Sequence, residues 1–265
     1  MLAFIVAQSL FAATAPCSVV LPPDLQQGSL VRGRAPLASV VSYGGRQLAQ
    51  TPSGDFVFGI AFNAAKLASL QIKGNNCSAT LNFPVTQRSY ATERVDGVPQ
   101  NTVTPDPETA KRIALEGEMI QKARAVDSNL LFWQQQFQWP AVGRSSGVYG
   151  SQRILNGLPS SPHLGLDMAA ATGTPVVAAL SGKVVLAHAG MIMTGKTLII
   201  DHGFGINTIY IHMSEIAVKE GQMVTAGQRI GAIGTTGRSN GPHLHFQVQW
   251  YQEKLDPALV LPARK

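Results

Sequence analysis

His243 and His245 stand two residues apart in the run Gly241-Pro242-His243-Leu244-His245-Phe246-Gln247-Val248-Gln249-Trp250, where polar and apolar residues alternate from His243 onward. That is the period of a half-buried β-strand, so His243, His245, Gln247 and Gln249 share one face and two imidazoles point the same way. Asn240-Gly241-Pro242 is turn chemistry, which puts the pair at the mouth of the strand, within reach of a metal or ligand. Such a pair suits zinc, and a solvated pair of histidines has the same pattern. A second candidate is Pro162-His163-Leu164-Gly165-Leu166-Asp167. A separation of four brings His163 and Asp167 to one face in a strand or a helical turn, and an imidazole with a carboxylate suits zinc. Gly165 between them lets the backbone bend or a substrate approach closely.

Three protein ligands with one open position make a catalytic rather than a structural zinc site. His163, Asp167 and one of His243 and His245 supply that set, leaving the other histidine of the pair and His212 unliganded beside the metal. Cysteine is absent from this half of the chain, and no His-Glu-x-x-His segment occurs, which excludes a thiolate site and the helical zinc-protease arrangement. All six histidines fall between positions 163 and 245. His188 and His202, at a strand end and in a turn-like Asp-His-Gly, read as structural residues.

The elements that must hold these residues read as strands separated by glycine-rich turns: 175–180, 184–187, 197–201, 206–211, 229–233 and 243–250. With no long amphipathic helix to cover a parallel sheet, the expected fold is mainly β, with an antiparallel sheet or barrel-sandwich in residues 132–265. Residues 16–96 show short apolar runs at 37–41, 56–62, 67–72 and 79–83, broken by turn residues, and read as a small β-sandwich without chemistry. Between the two, residues 97–131 hold a Pro-rich linker and a helix opened by Asp106 as N-cap and Pro107 at its first position. This helix reads as a brace between the halves or as a frayed linker.

The 265 residues are 45% hydrophobic and 14% charged, with a net charge of +6. The length allows one large or two ordinary domains, and the charge favours anionic surroundings such as acidic polymers or a bacterial envelope. Basic residues are dispersed without a run or aromatic interleaving, so nucleic acid is the weaker partner. Met1 to Ala15 resembles the apolar core and small-residue end of a secretory signal, which implies export to the periplasm or cell envelope; a buried strand is the alternative. Cys17 and Cys77 could pair in an oxidising compartment or remain two unrelated thiols.

The segments His163-Leu164-Gly165-Leu166-Asp167, Tyr210-Ile211-His212 and Gly241-Pro242-His243-Leu244-His245 together resemble the three motifs of the lysostaphin-like (LytM-type) zinc metallopeptidases, which cut peptide bonds in peptidoglycan. The likeness extends through 173–178, 201–203, 218–222 and 234–238 and covers roughly residues 143–257. It implies a duplicated hybrid β fold, with His163, Asp167 and His245 as zinc ligands and His212 and His243 as the catalytic pair. It also implies D-Ala to diaminopimelate cross-links of peptide stems as substrate, pentaglycine bridges being the family's other substrate. Met213 stands where Leu is frequent and Lys196 where many members carry Asn. Relatives that lack some of the five residues act as non-catalytic activators of cell-wall amidases, an alternative use of the same groove. A third class, a biotinyl- or lipoyl-like carrier, lacks its hairpin lysine here. Tyr149, Arg153 and Asn156, just ahead of the first motif, are candidates for the substrate groove, or else ordinary turn and edge-strand residues.

Overall fold

A computed structural model describes residues 17–74 and 77–264; the signal-like stretch 1–15 lies outside them. The chain is mainly β. The first six strands are β1 (Leu30–Arg34), β2 (Ser39–Tyr43), β3 (Arg46–Gln47), β4 (Asp55–Gly59), β5 (Leu67–Gly74) and β6 (Cys77–Pro84). They form a β1-β4 pair and a four-stranded sheet ordered β3-β2-β5-β6. Alternation in these strands sends Val31, Val41, Phe56, Phe58, Leu70 and Ile72 inward, each at most 2% exposed. Cys17 and Cys77 are joined by a disulfide with Cα atoms 5.7 Å apart, so of the two states open to these thiols the bridge is the one present.

Next come β7 (Thr92–Val95) and the helix α1 (Pro107–Arg124), followed by β8 (Arg144–Gly147), β9 (Gln152–Leu155), β10 (Leu158–Ser160), β11 (Leu166–Ala169) and β12 (Pro175–Val177). The remaining strands are β13 (Gly182–Met191), β14 (Gly195–Gly203), β15 (Ile206–Ile216), β16 (Met223–Val224), β17 (Arg229–Ile233), β18 (His243–Trp250) and β19 (Glu253–Leu255). Ten of them make one sheet, ordered β16-β13-β14-β15-β18-β11-β8, with β17 joining β15 to β12 and β19 lying on β18. Its named pairings are antiparallel. A separate three-stranded sheet, β10-β9-β7, contains a parallel pair, β7 beside β9.

Asp106 caps α1 by accepting hydrogen bonds from the backbone N–H groups of Glu108 (3.0 Å) and Thr109 (2.9 Å), as its place before Pro107 predicts. The helix is ordered, and it differs from a brace between halves. Its Ala123 and Ile120 pack on Leu186, Met191, Ile199, Ile209 and Ile211. The Glu116 carboxylate accepts the N–H of Ile192 (2.7 Å), and the Arg124 guanidinium donates to the carbonyl of Gln252 (2.7 Å). The helix therefore covers the outer face of β13, β14 and β15. Alternate residues Leu198, Ile200 and Tyr210 enter the main core on the other face. Burial on both faces explains why these strands read as continuous apolar runs rather than as alternation.

The first strands do not keep a core to themselves. Val31, Phe58 and Leu70 belong to the same buried cluster as Trp133, Phe246 and Leu255. A Cβ on Gly59 would come within 2.7 Å of Leu255, and the Arg32 guanidinium donates to the carbonyls of Trp133 (2.7 Å) and Gln135 (3.0 Å).

Candidate metal centre and groove

Strand register assembles the centre. Asp167 of β11 lies directly opposite His245 of β18, and Ala169 opposite His243, so Asp167, His243 and His245 project from one face of one antiparallel pair. His163 arrives from the loop before β11. Its Nε2 is 3.0 Å from Asp167 Oδ1 and 2.8 Å from His245 Nδ1, and His245 Nδ1 is 2.7 Å from the same carboxylate oxygen. One donor atom from each of the three residues lies within 4.8 Å of the others. Donors around a tetrahedral zinc, at its usual bond lengths of ~2.0–2.1 Å, are separated by about 3.3 Å. Two imidazole nitrogens and one carboxylate oxygen at these separations fit zinc after an outward shift of a few tenths of an ångström.

His212 reaches the centre through a break in β15. That strand pairs with β18 as far as Ile211, opposite His245, and then with β17 from Met213, opposite Ile233. At the change of partner His212 has φ +63°, a left-handed conformation that an L residue adopts at a cost of order 1–3 kcal/mol. The kink turns its ring to His243, with centroids 4.8 Å apart.

Three of the four imidazoles are oriented alike. Nδ1 of His163 faces the carbonyl of Val148 (3.0 Å), that of His212 the carbonyl of Thr236 (2.7 Å) and that of His243 the carbonyl of Gly241 (2.8 Å). A carbonyl can only accept, so Nδ1 carries the proton and Nε2 offers its lone pair to the centre. His245 is reversed, with Nδ1 inward and Nε2 2.9 Å from the side-chain amide of Gln247. Burial, with smaller repulsion from His243 and His245, lowers His212 to about 3. Burial lowers His245 to about 4 against the attraction of Asp167. Burial alone would raise Asp167, but the charge of His245 and hydrogen bonds from His163 and His245 prevail, and its carboxyl ionises well below the usual range.

Asp167 Oδ2 is held from behind by the Arg153 guanidinium at 3.1 Å, and Arg153 Nε lies 3.2 Å from Glu93 Oε2 on β7. Gly147, opposite Asp167 on β8, leaves room for this contact, because a Cβ there would collide with Asp167 Oδ2 and stand 2.7 Å from the Arg153 guanidinium. Arg153 thus lines the groove and binds a centre residue. Tyr149 does not reach the groove. It is 3% exposed, donates its hydroxyl to the carbonyl of Lys254 (2.8 Å) and packs edge-on against Phe62 and Tyr90. Asn156 lies at φ +46° in the β9–β10 turn, with Gly157 at φ +83°, and its amide donates to the carbonyl of Val98 (2.9 Å) and to Gln100 (3.0 Å). Asn-Gly is the sequence signal of a tight hairpin turn, and that local role accounts for Asn156.

A groove of about 680 Å³ opens over the centre. The segment 93–98 borders it together with the loop 238–243, and the two are tied by Asn240 Nδ2 donating to the carbonyl of Asp96 (3.2 Å). His202 has no part in it. Fully buried, it bridges the Ser181 carbonyl (2.7 Å) and the Thr208 hydroxyl (2.8 Å). Sequence reading missed Glu93, which carries no local motif, and the Arg153–Asp167 contact, which depends on pairing between distant segments.

Residues 161–257, the segment holding the centre, match the model of Peptidase family M23. The chain carries a peptidase family M23 domain. A crystal structure from Pseudomonas aeruginosa assigned to peptidase M23 superposes on 94% of this chain and 95% of that one, with a TM-score of 0.67 and 26% identity. The likeness to that M23 fold therefore includes the first strands. Over 88 residues the chain is 46% identical to the peptidoglycan DD-endopeptidase ShyA of Vibrio cholerae, covering 33% of this chain and 20% of that protein. Over 128 residues the chain is 30% identical to the murein hydrolase activator NlpD of Escherichia coli, covering 48% of this chain and 32% of that protein. The chain thus spans a fifth to a third of the length of these curated relatives.

Proposed function

We propose that the protein is a zinc-dependent endopeptidase that hydrolyses peptide cross-links of peptidoglycan, at D-Ala to diaminopimelate bonds, during cell-wall remodelling in the periplasm. The observation that carries this reading is the meeting of His163 Nε2, Asp167 Oδ1 and His245 Nδ1 beside two further imidazoles, His212 and His243, in an open groove. His163, Asp167 and His245 would hold the ion. When bound there, zinc polarises a carbonyl and makes hydroxide available near neutral pH.

The rest of the chemistry belongs to the chain. His212 and His243 keep Nδ1–H on backbone carbonyls, so each presents its Nε2 lone pair to the groove. One accepts the proton of the attacking water and one returns a proton to the leaving amine, acid–base help typically worth about 10²–10⁴-fold in rate. His212, lowered to about 3 by burial, is neutral at pH 7, so its Nε2 lone pair is free to accept a hydrogen bond from the attacking water. The peptide stems are anionic, which suits the basic chain, and the signal-like residues 1–15 support an envelope location.

The likeness to a murein hydrolase activator supports a second reading, a non-catalytic regulator whose groove contacts an amidase. All five centre positions are filled, which favours the enzyme. His243→Ala and His245→Ala separate the two: the first is expected to retain zinc and release no muropeptides from purified sacculi, the second to lose zinc as well. Unchanged hydrolysis in either variant removes the assignment, and a wild-type protein that binds zinc without hydrolysing sacculi supports the regulator.

A further inference from the structure

Among the described residues, Arg238 is one of the cations lining the groove that make no ion pair. Arg238 sits between β17 and β18, five positions before His243, on a loop fixed at several points. Its N–H donates to the Met193 carbonyl (2.9 Å). Gly237 before it has φ +75° and is so close to Gly195 that a Cβ would overlap the backbone there. Thr236 accepts the His212 Nδ1–H through its carbonyl and donates its hydroxyl to the Met213 carbonyl (2.9 Å). The backbone that orients His212 therefore also sets the origin of the Arg238 side chain.

The Arg238 guanidinium lines the groove half-buried, and among the described residues no acceptor lies within hydrogen-bonding or ion-pairing distance of it. Its neighbour is another cation: burial and the Arg153 charge both lower its pKa. Arg153 is already engaged by Glu93 and Asp167, and Asp96, the other carboxylate on this rim, makes no ion pair with Arg238. A half-buried guanidinium facing like charge is unfavourable unless a ligand brings an anion, and its planar fork matches a carboxylate in two parallel hydrogen bonds.

We propose that Arg238 anchors a free carboxylate of the substrate, borne by the residue that supplies the leaving amine, and so selects the cross-link that is cut. The inference rests on the endopeptidase reading above. In a D-Ala to diaminopimelate cross-link, the carbon attached to the scissile nitrogen also carries a free carboxylate. In a polyglycine bridge the matching carbonyl is an internal amide without charge. The residue thus distinguishes the family's two kinds of substrate by charge beside the scissile bond.

The test uses two synthetic cross-linked peptides that differ only in carrying a carboxylate or a carboxamide at that carbon, with the zinc-loaded full chain and the variants Arg238→Gln and Arg238→Lys. A charge-assisted pair predicts that the wild type prefers the acid in KM by about 10- to 100-fold. Arg238→Gln should raise KM for the acid to the level of the amide with kcat and zinc content little changed, while Arg238→Lys falls between. Equal KM for acid and amide in the wild type, or an equal loss on both in Arg238→Gln, overturns the anchor. Calorimetric Kd values for the two peptides are measured in parallel. If neither is hydrolysed, the endopeptidase reading fails, and the anchor stands only if the wild type binds the acid more tightly and Arg238→Gln abolishes that difference.

Discussion

In Arg153→Met the guanidinium that spans Asp167 Oδ2 (3.1 Å) and Glu93 Oε2 (3.2 Å) is replaced by a side chain of similar length without charge. Whereas the Glu93 side chain is 34% exposed, the Asp167 contact is well shielded, with the Arg153 side chain 15% and that of Asp167 9% exposed. Loss of one charge-assisted hydrogen bond in such a place costs about 1.5–3 kcal/mol. Here it also leaves Glu93 and Asp167 without the cation between them. Asp167 then holds its place only through His163 and His245, so its carboxylate is less well oriented toward a metal. Loss of partners that orient metal ligands typically lowers affinity ~10–100-fold, and that is the expected fall in zinc affinity, read by competition with a chromophoric chelator. Arg153→Lys, with charge but no fork, should fall between, and Glu93→Gln, one step further from the centre, should show a smaller effect. Zinc affinity indistinguishable from wild type in Arg153→Met, with the fold intact by circular dichroism, would refute the reasoning.

The buried His202 makes stability depend on pH. Burial lowers its pKa from 6.5 to about 4, so the unfolded chain takes up the proton first as pH falls. Its contribution is complete above pH 6.5 and is lost progressively as pH falls to 4, about 3 kcal/mol in all. Urea midpoints of the wild type and His202→Gln should converge across that window, and a constant gap would contradict this. Reducing the Cys17–Cys77 bridge, whose cysteines are 60 positions apart, should destabilise the first strands by up to about 4 kcal/mol in the chain-entropy account. A urea midpoint unmoved by reductant would count against it. Gly203→Ala should yield little soluble protein, because Gly203 has φ +95° and a Cβ would collide with the Leu130 carbonyl; normal yield and melting temperature would overturn that.

What was legible in the sequence is what local pattern dictates. The alternation from His243 and the turn before it give β18 with its bounds, and Asp106-Pro107 gives the start of α1. The pattern puts His243 and His245 on one face but does not say which turns inward beside Asp167, because that depends on pairing across β11 and β18. The left-handed His212 was equally hidden, since the kink comes from β15 exchanging β18 for β17, both distant in sequence. The docking of α1 on β13 to β15 escaped for a related reason: the strands it covers are apolar on both faces and carry no period to mark the helix side. Tyr149 and Asn156 show the reverse case. Polar groups just before a motif invite a groove role, yet a buried hydroxyl with its own carbonyl and an Asn-Gly turn satisfy them locally.

The central claim, that five side chains from the second half of the chain build a metallopeptidase, is tested most directly by mass spectrometry of muropeptides released from purified sacculi. Zinc-loaded protein should convert cross-linked dimers to monomers with a new free amine. Chelator should stop the conversion and added zinc restore it. Dimers that persist with zinc-loaded, folded protein would contradict the account.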